Sequence, residues 1–147
     1  MTKEILAEFQ SATHEFCALA KSIPVEKLDV VPEPGEWPPS YVIHHLADSD
    51  AHFLVRFLNV LTTEKPAIIP FDEESFPEGL RYAGRSAPIS IAAIEASCAQ
   101  LVDILTQLDA DSWNRTGIHA ERGEMTLSAI LQLTTNHRVA HLDQLKK

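Results

Sequence analysis

Glycine is scarce in this 147-residue chain, with five copies, and the nine prolines leave four long stretches untouched. Residues 1–23, 40–65, 89–116 and 124–147 contain neither residue. Proline costs about 3 kcal/mol and glycine about 1 kcal/mol inside a helix, so each stretch has room for a helix of five turns or more. A single, mostly helical domain over residues 1–147 is expected. Basic residues are also few. Twelve Lys and Arg face twenty-one Asp and Glu, for a net charge of −9. Binding to phosphate backbones needs a basic patch, so nucleic acid is not an expected partner. No run approaches the roughly 20 apolar residues of a membrane span. The N-terminal Met-Thr-Lys-Glu carries charge where a signal peptide would be apolar. A cytoplasmic protein with no membrane partner is the expectation. The two cysteines, Cys17 and Cys98, fall in different predicted helices without metal-type spacing, and are expected as buried free thiols.

The apolar pattern fills these stretches. Ile5, Leu6, Phe9, Phe16, Leu19 and Ile23 recur at helical steps, predicting a first helix from a Thr2 cap to about Ser22. The proline-rich connector 24–39 is expected to be extended and stiff. Ser40 reads as the cap of a second helix that runs to about Thr63. Residues 64–88 form the longest irregular stretch, rich in Ile68, Phe71, Phe76 and Tyr82, and are expected to pack over the bundle. A third helix follows Pro88, with Ser90 a candidate cap, and ends near Leu108. A polar connector without strand-like alternation precedes a fourth helix capped by Thr126.

Seven histidines carry the chemistry. His137 and His141 are four apart, hence on one helical face and about 6 Å apart along the axis. At 100° per residue they lie about 70° and about 30° from the centre of the apolar stripe of Leu127, Ile130, Leu131, Leu133, Leu142 and Leu145. Both rings point inward, as does Arg138. Such a pair is how one helix offers two imidazoles to a metal. A third ligand is available on the second helix, from His44 or His45. Each lies about 130° from that helix's apolar direction, so periodicity does not choose between them. The face of His45 continues through Ser49, His52 and Arg56, a polar file that can line a pocket. A zincin is excluded because Arg138 stands where H-E-x-x-H needs Glu. A ferritin-like di-iron site is excluded because no Glu lies three residues before any histidine.

The segments Trp37-Pro-Pro-Ser-Tyr-Val-Ile-His-His-Leu-Ala-Asp48, Trp113-x-Arg115-x-Gly-x-His119 and Gly123-x-x-Thr-Leu occur in order, followed by His137-x-x-x-His141-x-x-Gln144. In this order and spacing the chain resembles the DinB/YfiT family from about residue 37 onward. The resemblance implies an all-α four-helix bundle with a long loop between its second and third helices. It also implies a divalent metal held by three histidines, often in a homodimer. It assigns the ligands to His45, His137 and His141, and makes Asp48 and Gln144 candidates for orienting the ligand rings. Zinc, nickel and iron(II) all suit imidazole.

By the same resemblance, the expected function is transfer of a low-molecular-weight thiol to an electrophile, with a small-molecule substrate. Metal-dependent hydrolysis is the enzymatic alternative. A non-catalytic metal-binding or stress-response protein is another, and a metal-free helical interaction module a third.

Overall fold

The computed structural model describes residues 2–147. Four long helices carry the fold: α1 (Thr2–Ser22), α2 (Pro39–Thr62), α4 (Ala87–Leu105) and α6 (Leu127–Leu145). They are joined by two short helices, α3 (Phe76–Gly79) and α5 (Ala110–Trp113), and three short strands, β1 (Ala67–Ile68), β2 (Thr116–His119) and β3 (Gly123–Thr126). Each long helix occupies one of the breaker-free stretches, save for a proline near the start of α2 and of α4. Proline is tolerated in a first turn, where its missing N–H has no intrahelical acceptor.

The bundle closes by burying one stripe of each long helix. α1 packs on α6 and α4, and α2 packs on α4 and α6. Phe16, Ile43, Leu46, Ile94 and Leu142 form one part of the core, and Phe9, Phe57, Leu101, Leu127 and Leu131 form the other. Each such side chain contributes roughly 1.5–3 kcal/mol when fully buried. Cys17 and Cys98 are buried and free, as expected. Burial pushes the Cys17 thiol up to about 11.

Several local expectations are corrected. Thr2 is already helical and lies inside α1, not at its cap. α2 starts at Pro39, after a Pro38 cap, and Ser40 instead hydrogen-bonds Asp29 Oδ1 at 2.6 Å. The connector before it turns through a 3-10 segment at Val25–Lys27, and does not run extended. α4 is capped by Ser86, whose hydroxyl accepts from the Ile89 N–H, and ends at Leu105, whereas Ser90 is buried. Thr126 does cap α6, accepting from the Ala129 N–H at 3.1 Å.

The polar connector holds strands that the sequence did not announce. β2 and β3 pair antiparallel from Thr116↔Thr126 to His119↔Gly123, and β1 joins β2 in parallel. Gly117 lets β2 approach the bundle. A Cβ there would sit 2.9 Å from Ile68 Cγ1 and 3.0 Å from Val60 Cγ2, closer than packed atoms tolerate. This sheet ties the middle loop to the start of α6.

α4 also departs from the expectation of no membrane-length apolar helix. Its 19 residues reach a mean hydropathy of 1.4, long and apolar enough to cross a membrane. In the fold, Ile91, Ile94, Cys98, Leu101 and Leu105 are buried, while Glu95 and Asp103 are exposed. Glu95 pairs with Lys21 of α1 at 3.0 Å. About a third of this helix is buried in the bundle, along the stripe that faces α1 and α2.

Candidate metal centre

α2 and α6 pack side by side, and their contact brings three imidazoles to one point. The Nε2 atoms of His45 and His141 are 3.0 Å apart, those of His137 and His141 3.1 Å, and those of His45 and His137 3.3 Å. The i, i+4 spacing on α6 stacks two of the rings on one face, and α2 supplies the third. Between His44 and His45, which helical periodicity leaves equivalent, the fold separates the roles. His45 enters the cluster, whereas His44 turns its Nδ1 to the Ser90 hydroxyl at 2.8 Å.

The donor set matches a divalent cation. Imidazole nitrogens bind zinc at roughly 2.0–2.1 Å, which places tetrahedral donors about 3.3–3.4 Å apart. The observed edges fall within a few tenths of an ångström of that spacing. The His141 Nδ1 lies 2.8 Å from Gln144 Oε1. A carbonyl oxygen only accepts, so this contact places the ring proton on Nδ1 and leaves the Nε2 lone pair facing the other two rings. Burial pushes His45 down to about 4 and His137 down to about 3, with neighbouring histidines adding to both shifts. His141 is also lowered, chiefly by burial. Neutral imidazoles with lone pairs converging are what an ion requires.

The surrounding residues divide by what they touch. Ser49 is fully buried, with its hydroxyl 3.5 Å from His45 Nε2. Asp48 does not reach an imidazole. Its two carboxylate oxygens accept from Arg85 at 2.6 and 3.0 Å, and Arg85 Nη2 also approaches the Ser90 hydroxyl at 3.5 Å. His52 is exposed and stacks on Phe71 at 4.4 Å and on Phe76 at 5.6 Å. Trp37 lies 5.3 Å from the His45 ring, and Phe53 meets His137 edge-on at 5.1 Å. His119 is remote from this chemistry, its Nδ1 accepting from the Glu121 and Arg122 N–H groups in the hairpin turn. A cavity of about 420 Å³ lies between α2 and β1. His52 lines it and none of the three clustered imidazoles does.

Three neighbours of the cluster have contacts that the sequence pattern did not mark. Glu73, in the middle loop, brings Oε2 to 3.6 Å from His45 Nε2 and 4.0 Å from His137 Nε2. Arg85 holds Asp48. Arg138, read only as an inward residue, is 1 % exposed and bonds Asp50 and Thr13 behind the histidines. Loop residues such as Glu73 and Arg85 carry no periodicity, and only tertiary folding places them. For Asp50 and Arg138 a signal existed, since both fall on helix faces that also carry core residues.

The DinB superfamily profile matches residues 8–145. This chain belongs to the DinB superfamily. Over 97% of its length it is 28% identical to a protein of Bacillus cereus strain 03BB102 and to one of Bacillus anthracis strain CDC 684, covering 83% of each. Both bear the name "putative metal-dependent hydrolase". Among solved structures it matches YfiT from Bacillus subtilis, "a probable metal-dependent hydrolase with an unusual four-helix bundle topology". The TM-score is 0.84 and the identity 25%, over 99% of this chain and 85% of that one. A mycothiol-dependent maleylpyruvate isomerase matches with a TM-score of 0.80 at 16% identity, over 99% of this chain and 60% of that one. That second likeness is one of fold. The four-helix bundle of the DinB/YfiT type, implied by the resemblance to that family, is the architecture observed.

Proposed function

We propose that His45, His137 and His141 hold a divalent ion, and that the chain is a metal-dependent hydrolase of a small molecule. One observation carries this reading: three imidazole nitrogens from two helices, one ring buried and two half-buried, stand at the mutual spacing of donors on one ion. The relatives named for metal-dependent hydrolysis, similar over nearly the whole chain, support the choice of reaction. With three protein ligands, an ion keeps open positions and supplies the positive charge that stabilises the deprotonated form of water or a thiol.

The chain's own residues prepare the site for this. Gln144 fixes the tautomer and orientation of His141. Trp37 and Phe76 stand against the His45 ring and limit access of bulk water. Arg85 neutralises Asp48, so that this carboxylate does not compete for the imidazoles. Thiol transfer, the reading drawn from the sequence, uses the same centre with a thiol as the nucleophile. The likeness to the mycothiol-dependent isomerase favours it only at the level of fold.

The test loads metal-free protein with zinc, nickel or iron(II) in turn. Each form is assayed on a panel of esters and amides, and on electrophiles with added low-molecular-weight thiols. Hydrolysis by the loaded protein and none by the His141→Ala variant is the expected outcome. Turnover only when a thiol is present would replace hydrolysis by thiol transfer. Stoichiometric metal with no turnover in either panel would make this a binding protein and not an enzyme.

A further inference from the structure

The middle loop places one carboxylate against the three imidazoles, and its setting does not explain why. Glu73 lies in a 3-10 turn, Glu73–Ser75, held by Asp72, which accepts from the Glu74 N–H at 3.2 Å and from the Ser75 hydroxyl at 2.5 Å. Aromatic anchors stand on either side. Phe71 stacks on His52 of α2, and buried Phe76 packs with its ring 6.4 Å from that of His45. The backbone at Glu73 is thereby pinned over the site, while its side chain stays half exposed. Among the described residues, its ion-pair contacts are to His45 and His137 alone, with no lysine or arginine.

Three imidazole nitrogens and a carboxylate oxygen thus converge without a cationic side chain among them. Oxygen and nitrogen donors on one tetrahedral ion stand about 3.3–3.5 Å apart, and Glu73 Oε2 is 3.6 and 4.0 Å from two of the nitrogens. A small rotation of an exposed side chain closes that difference. The same exposure lets the carboxylate swing out into water.

We propose that Glu73 is a displaceable fourth donor: its carboxylate closes the open side of the three-histidine centre, and yields that position to an incoming anionic ligand. This rests on the metal reading given above. The loop that covers the site would then also set how readily a nucleophile or substrate anion enters it. If the closed form outnumbers the open one about ten to one, an anion's apparent Kd is weakened about tenfold, and removing the arm restores it.

Cobalt(II) and azide are suitable probes, because cobalt absorption in the visible reports donor number and type without any need for turnover. The full-length protein is loaded with cobalt(II) and titrated with azide. Glu73→Gln is expected to keep stoichiometric cobalt, to change its visible spectrum, and to bind azide about tenfold more tightly than the unaltered chain. Glu74→Gln, one residue along the same turn, should leave both readouts unchanged. A Glu73→Gln variant with an unaltered spectrum and unaltered azide affinity overturns the fourth-donor assignment while leaving the metal centre standing. Failure to bind cobalt, or cobalt binding that survives His141→Ala, overturns the metal reading itself.

Discussion

Two polar clusters link α2 to α6, and they differ in where their positive charge comes from. In the first, Arg138 bonds Asp50 and donates to the Thr13 hydroxyl at 2.6 Å, with its guanidinium over the Phe9 ring at 4.8 Å. Asp50 and Arg138 are both almost wholly buried. This cluster is neutral within the chain, although Asp50 Oδ2 and Arg138 Nε have no hydrogen-bond partner among the described residues. In the second, His45, His137 and His141 meet with Glu73 at the edge, and only electron-pair donors are gathered. His137 and Arg138 are consecutive residues. One turns its ring to the open cluster and the other its charge to the closed one. A buried polar group must find a complement. The closed cluster finds it in the chain and serves stability, whereas the open one, on the reading proposed above, would find it in a bound cation.

The closed cluster predicts the largest effect. Arg138→Leu strands a buried carboxylate, and should lower stability by about 3–5 kcal/mol in urea unfolding. The double variant Asp50→Leu/Arg138→Leu should recover most of that loss, because no uncompensated charge remains. If Arg138→Leu alone leaves stability unchanged, the contrast between the clusters collapses.

The open cluster predicts a pH dependence of the metal-free protein. Burial holds His45 at about 4 and His137 at about 3, against an ordinary 6.5. Below about pH 6.5 the unfolded chain takes up protons that the folded chain refuses. Stability should therefore be intact above that pH and fall as the pH drops towards 4. The His45→Gln/His137→Gln variant should lose less stability than the unaltered chain between pH 7 and 5. Equal losses would show that these rings do not resist protonation in the fold.

Gln144 sharpens the comparison at smaller scale. Gln144→Leu removes the acceptor that holds the His141 ring, and should weaken metal affinity by about 10–100-fold. Its unfolding free energy should change by under about 1 kcal/mol, as for most residues away from a buried network. A larger loss of stability than of affinity would place Gln144 in the architecture and not in the centre.

Much of this was legible in the residues themselves. Breaker-free stretches marked the four long helices because proline and glycine penalties act locally. The i, i+4 pair and its inward direction announced His137 and His141. His45 was harder, since it lies well away from the apolar stripe of α2 and yet is 1 % exposed. What buries that side of α2 is not only a neighbouring helix but also Trp37 and the loop segment carrying Phe76 and Tyr82, which surround His45 and His44. The hairpin was hidden for a similar reason. Its strands are four residues each, too short for alternation, and they are set by pairing with β1 and by the close approach at Gly117. Glu73 depends on that same loop, so no local pattern could point to it.

The central claim is that the three converging imidazoles hold a divalent ion, and metal analysis of the purified protein beside its His141→Ala variant tests it most directly. Stoichiometric metal in the unaltered chain and in a His44→Ala control, with near-complete loss in His141→Ala, is the result expected. Stoichiometric metal retained by His141→Ala would contradict it.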